Sequence, residues 1–543
     1  MFGLTLLDAL VIVGYLAGIT ALGIWSGRRV RGTNEFFMPR KFGKGMMMMH
    51  AFGTGTASDQ AVVVSAGTFK LGLSGIWFQW LWMFNTPFYW LIAPIFRRLR
   101  ANTTADVYRL RFGPSVSVLF ALVGIIGLAV KIGLMLKGAG ALIDAGTNGA
   151  VSPAVAMPVV AILFVIYGAT GGLSAAILTD YIQGLLTVVF SFILLPSVLH
   201  AVGGLSGVRE TINDPQMLSL VAPDKIDTLF IVTFALLSLI GIVAQPFIMG
   251  VCAAGRTEMD GRFGFVVGNL IKRVCSAAWA VTGIAALAYF IQEGMAIDDS
   301  TPDRVYGQMA QTFLSPGWLG LFVAALLAGV MSSCDSFMIS ASGLFTENLY
   351  RPLRAGRSEK HYLWVGRFAA LVIVAAGVWV AFKMPNVVSG LKTWLKIAPM
   401  LGIAFWMGLF WRRFNAAGAW SSTLAGFLGW WLMSFTDWSE PLQILSYLSM
   451  SIVAGAVASL VTKRPAQEDL ERFHGLICTP VELGEQLGAP CVLPEGRLVS
   501  VRPMAFEGTD FEFPRPSKTS VIGFLLSSLA VAGMIGGFVW LMP

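Results

Sequence analysis

About fourteen mainly apolar stretches, each close to the ~20 residues that cross a bilayer as a helix, follow one another along this 543-residue chain. Inside hydrocarbon every backbone N–H and C=O must find its partner within the structure. Only a helical bundle or a closed barrel meets that demand. Runs this long exclude the barrel, whose strands alternate in polarity over about ten residues. The spans are read at 5–26, 45–67, 74–96, 115–142, 152–171, 175–200, 227–252, 263–291, 317–346, 362–383, 387–411, 415–435, 439–462 and 519–541. The charged fraction of only 13% agrees, since it leaves little to cover a water-facing surface. The first run has no basic leader and no small-residue cleavage site, so it reads as a retained helix.

The net charge of +8 does not mark a nucleic-acid binder, because the basic residues sit in short loops between spans. Arg28, Arg29, Arg31, Arg40, Lys41 and Lys44 follow the first span. Arg97, Arg98, Arg100, Arg109 and Arg111 follow the third. Arg351, Arg354, Arg357, Lys360 and Arg367 follow the ninth, and Arg412 and Arg413 the eleventh. Odd-numbered loops are therefore expected in the cytoplasm of a plasma (inner) membrane protein, with both termini outside. Residues 463–517 are polar and rich in Pro, Glu and Arg, an insert before the last span that either folds on the bundle or stays mobile. The five cysteines show no paired spacing, and His474, Cys478 and Cys491 in the insert match no metal motif. The expected divisions are 1–44, first helix and loop; 45–411, a ten-helix core; 412–462, two further helices; 463–517, the insert; and 518–543, the last helix.

Several polar residues fall at bilayer depth, where they are costly unless they serve something. The ninth span carries Ser332, Ser333, Asp335 and Ser336 in its middle. On a helix, Gly329, Ser333 and Ser336 share a face, and Ser332 lies one turn before Ser336. That face offers hard oxygen donors, which suit Na⁺ rather than a transition metal. Helix–helix packing through small residues explains the same pattern. The second span contains Gly53-Thr-Gly-Thr-Ala-Ser-Asp-Gln60, a cluster that predicts a broken helix with freed carbonyls. Gly241-Ile-Val-Ala-Gln-Pro246 in the seventh span reads either as a matching break or as a proline kink. Two breaks five spans apart suggest an inverted repeat, spans two to six and seven to eleven. Asp180 and Gln183 sit one turn apart in the sixth span. Lys131 lies deep in the fourth, where a buried ammonium needs an anion. Lys272 lies nearer a span end and is expected against an acid or a carbonyl.

These stretches together resemble the sodium:solute symporter family, the sodium-coupled sugar, proline, pantothenate and sialic acid transporters. The resemblance spans most of 1–462. It rests on Gly27-Arg-Arg with Asn34-Glu-Phe-Phe, Ala57-Ser-Asp-Gln60, Gly171-Gly-Leu with Thr179-Asp180 and Gln183, Met331-Ser-Ser-Cys-Asp-Ser336 with Phe345-Thr-Glu-Asn-Leu-Tyr-Arg-Pro352, and Gly408-Leu-Phe-Trp-Arg-Arg-Phe-Asn-Ala-Ala-Gly418. It implies an all-α LeuT-type fold of five plus five inverted helices, with extra helices at both ends. It further implies a Na⁺ site from the carbonyls of Ala57, Gln60 and Gly329 and the hydroxyls of Ser332 and Ser333. A second Na⁺ would use Asp180, Ser332, Asp335 and Ser336. Asp59 resembles an acidic position near sodium in the proline branch.

The function so implied is a secondary active transporter that couples inward Na⁺ movement to uptake of a small organic solute by alternating access. The candidate solute ligands are Lys131, Asp59, Gln79 and Lys272, with Lys131 near a position that meets a carboxylate in a sialic acid transporter. Ala61-Val-Val-Val64 and the aromatic run 77–85 argue against a close sugar-transporter relative and fit an anionic or amino-acid-like solute. The expected partners are the solute, Na⁺ and membrane lipid, without nucleic acid. A transporter-like sensor, with the 463–517 insert docking a protein partner, is the alternative. No nucleophile–His–acid set and only four histidines argue against an enzyme.

Overall fold

The computed structural model describes residues 4–28, 33–54, 58–298, 301–485 and 489–542. Its principal helices are α1 (Leu6–Gly27), α2 (Lys44–Gly53), α3 (Ser58–Leu71), α4 (Thr86–Arg98), α5 (Pro114–Gly146), α6 (Pro153–Ala201), α7 (Thr228–Ile242), α8 (Ile248–Ala253), α9 (Glu258–Gln292), α10 (Trp318–Gly343), α11 (Glu359–Lys383), α12 (Val387–Ile397), α13 (Pro399–Phe410), α14 (Ala416–Met433), α15 (Glu440–Val461), α16 (Gln467–Cys478) and α17 (Lys518–Leu541). Among the described residues, nine helical stretches are individually long and apolar enough to cross a membrane. The broken and kinked elements fall short one by one, so a count of fourteen does not follow from length and hydropathy alone.

Both expected breaks are present. The helix over 44–53 ends at Thr54, whose backbone is extended at φ −62°, ψ 104°, and helix resumes at Ser58. The seventh span splits into α7 and α8 around a turn at 243–247 that contains Pro246. Proline removes a donor and clashes with the preceding turn, which favours the interruption here. The expected junction near 172 is a bend inside α6. Gly172 there adopts φ +58°, and a Cβ would lie 2.6 Å from the Phe36 carbonyl oxygen, so only glycine fits.

The core sits where the long buried helices cross. α10 packs along α6, α5 and α1, and α9 packs along α2, α3 and α4. The contact of α1 with α10 has a polar anchor. Asp8 completes a capping box with Thr5, and its Oδ1 accepts the backbone N–H groups of Gly317 and Gly320, each at 2.7 Å. A carboxylate at the first turn of α10 is favoured by the helix dipole. Gly320 permits the approach, since a Cβ there would stand 2.5 Å from the Asp8 Cα.

The insert folds on the bundle. It contains α16 and a short antiparallel pair, β1 (Met504–Ala505) and β2 (Phe513–Pro514), in register Met504↔Pro514. Arg100 holds it with its Nε 2.5 Å from Glu485 and with bonds to the carbonyls of Thr479 and Pro480. Arg98 Nη1 donates to the Ile477 carbonyl, and the Arg412 amide to that of Asp510. Cys478 and Cys491 are buried free thiols. The basic loops gather at this same end: Arg40 reaches the carbonyls of Arg100 and Ala101, and Arg111 those of Gly408 and Phe414. α1 starts beside Gly317 at the opposite end, and α17 starts at the insert and runs away from it, so the start of α1 and the end of α17 share the far end.

Candidate ion and solute sites

The ion candidate forms where α10 passes the broken end of α2. A helix end leaves carbonyls without intrahelical partners. Gly53 has such a carbonyl, and it accepts the Ser333 hydroxyl at 2.7 Å. The neighbouring Ser332 hydroxyl donates to Asp180 Oδ1 on α6, and the other oxygen of Asp180 meets His50 Nδ1 at 2.6 Å. Thr54 Oγ1 lies 3.2 Å from the same imidazole nitrogen and donates to Ser336 Oγ at 3.4 Å. Gly53 is fitted to this junction, because a Cβ would lie 3.0 Å from Ser332 Oγ and 3.4 Å from the Asp180 carboxyl carbon. His50, Ser332, Ser333, Asp180 and Ser336 are all buried.

This arrangement brings together four of the eight ion-site residues expected from sequence. Ser332, Ser333, Asp180 and Ser336 surround one junction. Asp335 is buried and turns toward α6 at Gly168, where its Oδ1 would collide with any added Cβ. Gly329 is buried one turn earlier on α10. Ala57 and the side chain of Asp59 lie outside the described residues. His50 was not singled out in the sequence, and Gly53 and Thr54 were singled out only as the start of the expected break, not as members of the site. A histidine inside an apolar run was the available signal, and Gly53 became a ligand candidate only once α2 was seen to stop there.

A central cavity of about 50 Å³ adjoins the junction. Lys131, Lys272 and Arg273 line it together with the amides of Gln60, Gln79, Gln245 and Asn269 and the rings of Trp82, Phe337 and Trp394. No carboxylate lines it among the described residues. Lys131 Nζ stands 4.5 Å from the centre of the Trp394 ring, a cation–π contact that helps to hold the buried ammonium. Arg273 Nη1 donates to both the carbonyl and Oε1 of Gln79, at 2.7 and 2.8 Å. That fixes the amide of Gln79 with its Nε2 unpartnered among the described residues. Gln60 presents its side chain here, with Oε1 likewise unpartnered among the described residues.

Lys272 meets a carbonyl, as its type and depth suggested: its Nζ donates to Thr54 O at 3.2 Å. It lies well inside α9, though, and not near the end of a span, because that helix begins at Glu258. The aromatic run 77–85 contributes mainly to the scaffold. Trp77 donates to the Leu220 carbonyl and Trp80 to Ser276, and from the run only Gln79 and Trp82 reach the cavity.

The profile of the sodium:solute symporter family matches residues 36–426. A sodium/pantothenate symporter of Haemophilus influenzae is 24% identical over 85% of this chain and 97% of its own length. The osmoregulated proline transporter OpuE of Bacillus subtilis is 24% identical over 84% of this chain and 96% of its own. Among solved structures, a Na⁺-coupled sialic acid symporter in a substrate-bound outward-open state superposes with a TM-score of 0.75 at 17% identity. It covers 86% of this chain and 100% of the solved one, and so shows a common fold. Two helices broken at bilayer depth, an oxygen-lined junction beside one of them and a family match over most of the chain lead to one identification: the chain belongs to the sodium:solute symporter family, and is a multi-pass Na⁺-coupled solute transporter of LeuT-type fold, not an enzyme.

Proposed function

We propose that this transporter takes up a small organic anion, and that Na⁺ binds at the junction of α2 and α10. The observation that carries the first part is the wall of the central cavity, where three cationic side chains, Lys131, Lys272 and Arg273, converge with four amides. A carboxylate is the complement of such a wall, with Lys131 as its main electrostatic partner and the amides of Gln60 and Gln79 holding further polar atoms. A volume of 50 Å³ takes on the order of four waters, at 10–15 Å³ each, so solute entry requires the walls to part.

The Na⁺ reading is supported by donor chemistry. Gly53 O, Ser332 Oγ and Ser333 Oγ are hard oxygens on two different elements, and Ala57, Gln60 and Gly329 complete the set implied by the family likeness. Asp180, Ser336 and Asp335 form the candidate second position. There His50 shares the Asp180 carboxylate, so a second cation would have to displace or adjoin the imidazole. Na⁺ at the junction favours the arrangement in which α10 grips the end of α2, and solute binding in the adjoining cavity favours the same arrangement. Coupling of that kind is reciprocal. The insert end, which carries the basic loops, faces the cytoplasm of the plasma (inner) membrane, with both termini outside and fourteen spans in all.

The test is uptake into proteoliposomes under a Na⁺ or a K⁺ gradient, with a panel of carboxylic acids, amino acids and sugars as competitors. Carboxylates should compete under Na⁺ only. Competition by neutral sugars with none from carboxylates would overturn the anion reading, and equal uptake under K⁺ would overturn the ion site.

A further inference from the structure

A cleft of about 540 Å³ opens on the flank of the bundle at the end that carries the insert. Its walls are apolar. Phe88 and Ile95 of α4 form one side, Trp406 and Phe410 of α13 another, and Phe410 is exposed. From Phe88 to Arg98 the helix advances ten residues, about 15 Å. That is half of the roughly 30 Å hydrocarbon core, the depth of one leaflet.

The cleft ends in four guanidinium groups, Arg98, Arg262, Arg502 and Arg515. No carboxylate lines it among the described residues. Glu258 lies close by, but both of its oxygens bind Arg98, at 2.6 and 2.8 Å, and one also accepts the Val481 amide. The other three arginines have weaker ties. Arg262 Nη1 donates to Ser520 Oγ at 3.0 Å, and Arg515 Nε donates to the Met504 carbonyl while remaining exposed. Partial burial and the neighbouring Arg98 guanidinium hold the Arg502 pKa below its ordinary value. Like charges crowded beside hydrocarbon repel one another unless an anion joins them.

We infer that this cleft binds one anionic phospholipid, with an acyl chain along α4 and α13 and the phosphate among Arg262, Arg502 and Arg515. Basic pockets between membrane helices are suited to anionic head groups. A free phosphate would leave the apolar wall uncovered. A companion membrane helix would need both leaflets, and the wall is one leaflet deep. The insert thereby gains a role: Arg502 and Arg515, which it supplies, are half of the cationic mouth.

The test uses full-length protein in detergent and native mass spectrometry, with phosphatidylglycerol, phosphatidylcholine of the same acyl chains, and inorganic phosphate as probes. Phosphatidylglycerol should be retained and the other two not. Because Arg262 is buried and its loss can disturb folding, Arg502→Gln and Arg515→Gln carry the test. Each should lower phosphatidylglycerol affinity about fivefold, the worth of one basic residue at an anionic surface. Arg209→Gln, an exposed change at the far end, should leave affinity as in wild type. Equal retention of the two lipids, equal retention by wild type and both variants, binding of phosphate alone, or a polypeptide helix in the cleft by cryo-microscopy would each overturn the inference. None of these outcomes bears on Na⁺-driven uptake, which is measured separately.

Discussion

Lys272 Nζ lies 3.2 Å from the carbonyl oxygen of Thr54, and that one contact joins the solute cavity to the ion junction. Lys272 lines the cavity, while the Thr54 hydroxyl faces His50 and Ser336 on the ion side. Thr54 is also where α2 ends, and at a helix end the ammonium supplies a donor to its carbonyl. Lys272→Met should therefore raise both the solute concentration and the Na⁺ concentration needed for half-maximal uptake. A shift of about tenfold in each corresponds to ~1.4 kcal/mol of lost interaction. A change in solute affinity with unaltered Na⁺ dependence would show that the contact carries no coupling.

Ser333→Ala and Ser332→Ala each remove one oxygen at the junction. Hydrogen bonds and ion contacts to charged groups contribute about 1.5–3 kcal/mol, so half-saturating Na⁺ should rise at least about tenfold, with the protein still inserted. Gly53→Ala should act in the same direction by pressing on Ser332 Oγ. Na⁺ activation curves of all three variants that overlay wild type would place the ion elsewhere.

Lys131→Met keeps length and apolar packing against Trp394 while it removes the charge. Affinity for a carboxylate solute should fall by about tenfold or more, and Lys131→Arg should retain most of it. Isothermal titration with the best competitor from the carboxylate panel provides the measurement. Equal heats for wild type and Met variant would remove Lys131 from the solute site.

Arg100 and Glu485 form an ion pair that is almost wholly buried, with side-chain exposures of 0% and 4%. Removing one partner leaves the other charge without compensation, a cost of about 3–5 kcal/mol. Glu485→Ala should detach the insert and open residues 463–517 to limited proteolysis. The double change Arg100→Met with Glu485→Leu should recover much of the protection. A protease pattern unchanged in the single variant would mean that other contacts suffice.

The His474 imidazole in α16 is buried, and burial together with the nearby guanidinium groups of Arg412 and Arg111 pushes its pKa down to about 3. An unfolded histidine titrates near 6.5, so the unfolded insert binds the proton more readily. The contribution is fully present above pH 6.5 and declines as pH falls toward 3, by about 1.4 kcal/mol per unit. Thermal melts at pH 7.5 and pH 5 should therefore differ more for wild type than for His474→Gln. The same acid shift in both would assign the effect to other groups.

The class of fold was legible in the chain because it follows from local rules. Repeated apolar runs admit only membrane helices, and the glycine- and hydroxyl-rich stretch 53–60 weakens a continuous helix there, while Pro246 allowed either a break or a kink. The serines of α10 announced themselves in the same way, as oxygen donors in hydrocarbon. Less accessible was the partner of each polar group. His50 stood in an apolar run with nothing nearby in sequence to explain it, and its carboxylate is 130 residues away.

By itself the sequence determined that this protein is a helical membrane bundle, that its second span is interrupted and its seventh disturbed at Pro246, and that oxygen-rich residues lie at bilayer depth, since solvent and backbone chemistry act residue by residue. Only the tertiary structure decided which of those groups meet. It set Ser333 on the Gly53 carbonyl, Ser332 and His50 on opposite oxygens of Asp180, and Lys272 on Thr54. It also turned Asp335 toward Gly168 and folded the insert onto the arginines of the bundle. Those pairings depend on how helices far apart in the chain cross, and crossing is settled by the packing of whole faces, glycine contacts included, which no local run of residues specifies.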